Sequence, residues 1–118
     1  MSKTTSDLIQ KSCKACEGGL QALLPQEIAH LLAELDGWVQ IDKEITKTYS
    51  FGDYYETMAF VNALAWISHQ EDHHPDLEVS FRKCRVRYST HAIDGLSEND
   101  FICAAKTDQL VNPTTDQR

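Results

Sequence analysis

Apolar residues along this chain switch between helical and strand spacing, and the switches mark its elements. From Pro25, residues Ile28, Leu31, Leu32 and Leu35 recur at helical spacing. Pro25 suits the first turn of that helix, and Gly37 is expected to end it. Between Trp38 and Phe51, the residues Trp38, Ile41, Ile45, Tyr49 and Phe51 stand among polar side chains and threonines. This predicts two short strands joined near Asp42-Lys43-Glu44. Asp53 precedes Glu56 by three, a capping-box spacing. Tyr54, Met58, Val61 and Ala65, with Phe60, Leu64 and Ile67 beside them, then predict a second helix, which must stop before Pro75.

The clearest strand signal runs from Leu77 to Thr90. Leu77, Val79 and Phe81 alternate with Glu78, Ser80 and Arg82; Cys84, Val86, Tyr88 and Thr90 then alternate with Arg85, Arg87 and Ser89. A two-residue turn at Arg82-Lys83 sets Phe81 opposite Cys84, Val79 opposite Val86 and Leu77 opposite Tyr88, with Glu78 facing Arg87. Extending that register places His74 across from His91. Ser97 with Asp100 forms a second capping box, opening a last helix through Phe101, Ile102, Ala105 and on to Leu110. The order is helix, strand, strand, helix, strand, strand, helix. The expected class is therefore α+β: a four-stranded antiparallel sheet with three helices packed on one face. Residues 1–19 read as a flexible N-terminal arm ending in Gly18-Gly19. Residues 20–112 read as the single domain, and 113–118 as a tail beyond Asn112-Pro113.

Composition narrows the function classes. The 118 residues carry 18 acidic and 11 basic side chains, a formal net charge of −7, so the overall field does not draw the chain to nucleic acid. The local basic run Arg82-Lys83-Cys84-Arg85-Val86-Arg87 reads as a solvated strand face before an anion site. No apolar run approaches the ~20 residues of a membrane span, and Met1–Gln10 lacks the pattern of a signal peptide. The cytoplasm is the expected location. Cys13-x-x-Cys16 has the spacing of half a zinc ribbon or a redox pair. Cys84 and Cys103 supply no second such knuckle, and a chain kept in the cytoplasm holds its thiols reduced.

Of five histidines, His69, His73, His74 and His91 fall close together, while His30 stands apart inside the first helix. His69 and His73 are four apart and are expected to share a helix face. His74 sits at the helix exit. These residues admit three readings. One is a set of surface histidines on a polar sheet face. A second is a metal site, since His-x-x-x-His is a zinc-compatible spacing, although no Glu follows His69. The third is acid–base catalysis, because imidazole both accepts and donates a proton near neutrality. Convergence of several chain segments on one point favours the third.

At these residues the chain resembles the pterin-4a-carbinolamine dehydratase family, also known as the dimerisation cofactor of a homeodomain transcription factor. The family signature opens on an acidic, Lys or His residue, here His69. It continues after three residues with His73-His74-Pro75. An aromatic follows after five further residues (Phe81), a histidine after nine (His91) and an aspartate after eight (Asp100). Ser89-Thr90-His91 and Gly95-Leu96-Ser97-Glu98 are also similar to family members. Vertebrate members carry Glu in place of His69 and Trp in place of Leu77. The resemblance implies dehydration of 4a-hydroxytetrahydropterin, the species that phenylalanine hydroxylase or another aromatic amino acid hydroxylase releases, to a quinonoid dihydropterin. It implies His73, His74 and His91 as catalytic residues and Asp72, Ser89 and Thr90 as further lining of the site. His69 and Asp100 have supporting places. It implies no metal and no bound cofactor, the pterin being substrate, and a homodimer or homotetramer. A regulatory, protein-binding role is the alternative it carries.

Overall fold

The computed structural model describes residues 3–14 and 21–111; Cys16, Gly18-Gly19, Asn112-Pro113 and the tail 113–118 lie outside the described residues. In chain order the elements are α1 (Lys3–Gln10), α2 (Pro25–Ala33), β1 (Val39–Ile41), β2 (Glu44–Ser50), α3 (Tyr54–Glu71), β3 (Asp76–Val79), β4 (Lys83–Tyr88) and α4 (Glu98–Val111). A 3-10 turn, His91–Ile93, lies between β4 and α4. No helix among these residues is long and apolar enough to cross a membrane.

The four strands form one antiparallel sheet in the order β1-β2-β4-β3. Cross-strand partners share a face, so Ile45 and Tyr49 of β2 lie with Tyr88 and Cys84 of β4. These four and Val86 are all buried, and they meet the helices. Phe60 of α3 packs on Tyr49 and Phe51, with ring centroids 4.7 and 5.1 Å away. Helix α4 is enclosed throughout Asn99–Ala105. Removing a side chain the size of Phe101 or Leu64 from water contributes about 1.5–3 kcal/mol each. The opposite sheet face is polar apart from exposed Val39 and Ile41 on β1. There Arg85 and Arg87 both pair with Glu78, and Arg87 also reaches Glu44. Arg85 and Arg87 of the basic run are thus charge-balanced on the solvated strand face.

Local rules explain most element ends. Glu27 accepts from the Leu24 N–H ahead of Pro25, which starts α2. Asp53 accepts from the Glu56 N–H, and Glu56 reaches back to the Gly52 N–H, so the start of α3 is capped from both sides. Asp42, at φ 54°, makes the tight β1–β2 turn. Helix α2 ends earlier than Gly37, at Ala33, and Gly37 instead supplies a left-handed residue (φ 88°) just before β1.

Three expectations need correction. Residues 3–10 are helical, not a loose arm, and Leu8 is buried in the core. Lys106 on α4 donates to the Ile9 carbonyl, and Lys11 pairs with Glu98. Only Leu8 and Ile9 in that helix are apolar, too few to set up a period. The β3–β4 turn falls at Phe81-Arg82, because Ser80 N–H donates to the Lys83 carbonyl. The Arg82 carbonyl is taken by Phe51 N–H and the Phe81 carbonyl by the Thr57 hydroxyl, which anchors the turn there. Val79 therefore opposes Cys84, Leu77 opposes Val86 and Glu78 opposes Arg85. A shift of two keeps every paired residue on its face and moves only Phe81 into the turn, which is why alternation alone did not detect it. Finally, Ser97–Asp100 is half a capping box. Asp100 accepts from the Ser97 N–H, but the Ser97 hydroxyl turns to Thr90.

Candidate active site

Helix α3 ends at a left-handed residue, Asp72 (φ 52°), whose N–H bonds to the Ser68 carbonyl. Aspartate tolerates this conformation better than most residues with a Cβ. The reversal takes His73 off the helix and into the interior, where it is 6% exposed. His69 stays on the last turn of α3, exposed and against the Trp66 ring. His69 and His73 therefore do not share a helix face, as their spacing had suggested.

The His73 ring lies parallel to Tyr88, with 5.9 Å between centroids and 6° between planes. Its Nε2 is 2.7 Å from Asp100 Oδ1. Asp100 is wholly buried on α4, and its second oxygen accepts from the Thr90 hydroxyl at 2.8 Å and the Ser97 N–H at 3.0 Å. The Thr90 hydroxyl, having given its proton to Asp100, accepts from Ser97 Oγ at 2.8 Å. A carboxylate only accepts, so His73 Nε2 carries a proton and, in the neutral ring, Nδ1 carries the lone pair. The arrangement is a buried carboxylate, an imidazole and two hydroxyls joined in one hydrogen-bond network. Burying the carboxylate without these donors would cost several kcal/mol.

His91 opens the 3-10 turn after β4 and is exposed. That turn is closed by Asp94 in the left-handed region (φ 54°) and by a backbone bridge between Thr90 and Gly95. Lys43, from the β1–β2 turn, pairs with Asp94 at 2.7 Å. The hydrogen bond and charge of Lys43 hold the Asp94 carboxyl below the usual carboxylate range. His74 is exposed between His73 and Pro75; Asp72 is exposed and Ser89 half-buried. The ladder extended from Asp76–Arg87 sets His74 level with Ser89, so the expected pairing of His74 with His91 does not occur. His91 has left the strand for the turn.

The structure thus joins His73, Thr90 and Asp100 directly. His74 flanks His73 and His91 flanks Thr90 along the chain. Among the described residues, no three His, Cys, Asp or Glu side chains converge as a metal-binding group. Sequence reasoning had not given Ser97 or Tyr88 a place in this network. The Ser97-x-x-Asp100 spacing was the signal for the first. Nothing in the alternation of β4 singled out Tyr88 as the surface on which a histidine rests.

Comparison with known proteins supplies the family. A sequence model of the family "Pterin 4 alpha carbinolamine dehydratase" matches residues 21–110. A protein of Nitrosospira multiformis, provisionally named a pterin-4-alpha-carbinolamine dehydratase, is 60% identical over 110 residues, covering 93% of this chain and 97% of its own. A Dechloromonas aromatica protein with the same provisional name is 52% identical over 108 residues, covering 92% and 96%. Among solved structures, a transcriptional coactivator/pterin dehydratase from Brucella melitensis superposes with a TM-score of 0.74 at 28% identity, covering 76% of this chain and 98% of that one. A pterin dehydratase-like protein described as a RuBisCO assembly factor in the alpha-carboxysome gives a TM-score of 0.53 at 26% identity, covering 62% and 84%. The chain belongs to the pterin-4a-carbinolamine dehydratase family.

Proposed function

We propose that this protein dehydrates 4a-hydroxytetrahydropterin to the quinonoid dihydropterin by histidine acid–base catalysis. The observation that carries this reading is the hydrogen bond from buried His73 Nε2 to Asp100, which leaves Nδ1 as a base of defined tautomer. In the reaction the N5 proton leaves to a base, the C4a–O bond breaks, and the departing hydroxyl takes a proton to become water. A C4a=N5 double bond results. His73 takes the N5 proton, and Asp100 stabilises the imidazolium that forms, as a buried carboxylate does in a catalytic triad. His91 protonates the hydroxyl, and His74 binds and orients it; both are exposed and able to meet a ligand. Asp72, exposed, and Ser89, half-buried, would add to the lining. Thr90 and Asp100 act from beneath by holding His73, and His69 stands at the margin on α3.

The substrate would come from a pterin-dependent aromatic hydroxylase such as phenylalanine hydroxylase, in the cytoplasm, with no cofactor beyond the pterin itself. A homodimer or homotetramer is the proposed assembly. It is supported by the unpaired outer edge of β3 and by exposed Trp66 and Tyr55 on α3. Replacing His73 or His91 by Ala should slow decay of the 4a-carbinolamine by about 10²-fold or more relative to wild type. Dehydration at the wild-type rate in both variants would sink the catalytic assignment. A protein-binding role is the second reading, favoured by the coactivator and assembly-factor descriptions of the two solved relatives. Partner binding that persists in His73→Ala would separate it from catalysis.

A further inference from the structure

Outside the histidine site, one pair of nucleophilic side chains has no part in the chemistry above. Cys13, in the segment after α1, places its Sγ 3.4 Å from Sγ of Cys103 on α4. The contact joins residues 90 apart in the chain. Cys103 is fully buried, and Cys13 is half-exposed. Cys84 is buried on β4, paired across the sheet with Tyr49 and Val79.

The position of Cys13 is set by its backbone rather than by the sulfur contact. Its N–H donates to Glu71 Oε1 at 2.8 Å, at the end of α3. Lys14 N–H donates to Asn99 Oδ1, and Asn99 Nδ2 donates back to the Lys14 carbonyl, at 3.0 and 2.8 Å. Lys106 ties Glu71 to the Ile9 carbonyl of α1. These bonds hold the Cys13 backbone against α4 and the end of α3 independently of the sulfur contact. A disulfide needs about 2.05 Å between sulfurs, so closure requires a movement of roughly 1.4 Å.

We propose that Cys13 and Cys103 are a redox latch: oxidation joins them in a disulfide that fastens the segment following α1 to α4. The oxidant is a small-molecule disulfide of the glutathione class. The Cys13 thiolate attacks one sulfur of that molecule, forming a mixed disulfide and releasing the first small thiol. Cys103 then loses its proton and attacks Cys13 Sγ, breaking the mixed bond and releasing the second small thiol. Two protein thiols are oxidised and one small disulfide is reduced to two thiols. The order of attack follows from the structure. The contact with Cys13 and, after it, burial push the Cys103 thiol well above the ordinary range, so Cys103 is the resolving group. Cys13 is the half-exposed member of the pair.

The latch lies next to the catalytic supports without belonging to them. Asp100 is one turn before Cys103 on α4, and Glu71, which holds Cys13, precedes Asp72 and His73. The two thiols take no part in the pterin chemistry, and their closure is measured without an enzyme assay.

The full chain, reduced and then equilibrated with oxidised glutathione, is digested with trypsin and mapped by mass spectrometry without reduction. Cleavage after Lys14 separates Cys13 from Cys16, so the two pairings give different peptides. The expected product links the Cys13 peptide to the Cys103 peptide within one chain. It should persist in the Cys16→Ser/Cys84→Ser double variant and vanish in Cys13→Ser. In the double variant, oxidation should raise Tm by roughly 5 °C or more, since the link closes a long loop. Dithiothreitol should reverse the rise. A Cys13–Cys16 link, a link between chains, thiols that stay free, or an oxidised Tm no higher than the reduced one would each overturn the latch.

Discussion

At the scale of single residues, the informative group is Asp100. It ends a chain of donors from Ser97 through Thr90, and it accepts separately from the Ser97 N–H and from His73. Asparagine in its place would present an amide donor to groups that are all donors already. His73 would have to change tautomer to accept from it, and the free lone pair would move to the wrong nitrogen. Asp100→Asn should therefore retain the fold and lose about 10²-fold or more in carbinolamine dehydration. Wild-type activity in a folded Asp100→Asn protein would show that His73 does not need its carboxylate. The signature spacing made His73, His74, His91 and Asp100 legible from sequence. Their division into one buried and two exposed histidines was not legible, because burial depends on what packs above them.

At the scale of elements, the end of α3 decides the site. Pro75 requires the helix to stop, but Asp72 decides where the chain turns, and that turn sends His73 inward while His69 stays outside. A β-branched residue resists the left-handed region, whereas glycine accepts it. Asp72→Val should lower unfolding stability by about 1–2 kcal/mol in urea titration, and Asp72→Gly should stay close to wild type. Equal losses in both would mean that the aspartate side chain, not the backbone geometry, holds the turn. The β3–β4 hairpin is a second lesson at this scale. Alternation assigned Leu77, Val79, Phe81, Cys84, Val86 and Tyr88 to one face; all but Phe81, which falls in the exposed turn, lie there. The turn itself was settled by Phe51 and Thr57, which belong to other elements and capture its carbonyls.

At the scale of the whole molecule, the sheet and α4 enclose two tyrosines whose ionisation burial opposes. Burial first, and Asp108 second, push Tyr49 far above its ordinary value of 10.0. Burial likewise raises Tyr88, whose hydroxyl meets Thr107. A raised folded value means the unfolded chain releases protons that the folded chain keeps. The associated stability is intact below about pH 10 and is lost as pH rises above it. Alkaline titration should show the tyrosinate absorbance of these two groups appearing together with loss of circular dichroism. Tyr88→Phe should move the alkaline midpoint upward. Tyrosinate formed at Tyr49 and Tyr88 in a chain that is still folded would contradict their enclosure.

Taken alone, the sequence determined the α+β class, the strand and helix order from Pro25 onward, and the histidines that carry the family signature. Each of these is written in short-range spacing: a period near 3.6 or 2, a cap three residues from its partner, a proline that forbids a helix. The tertiary structure decided the hairpin register, the helical state of Lys3–Gln10, the stacking of His73 on Tyr88 and the meeting of Cys13 with Cys103. Those outcomes depend on groups far apart in the chain competing for one buried donor, one carbonyl or one apolar surface. No local spacing records who wins, because the competitors become neighbours only when the sheet and α4 have closed over them.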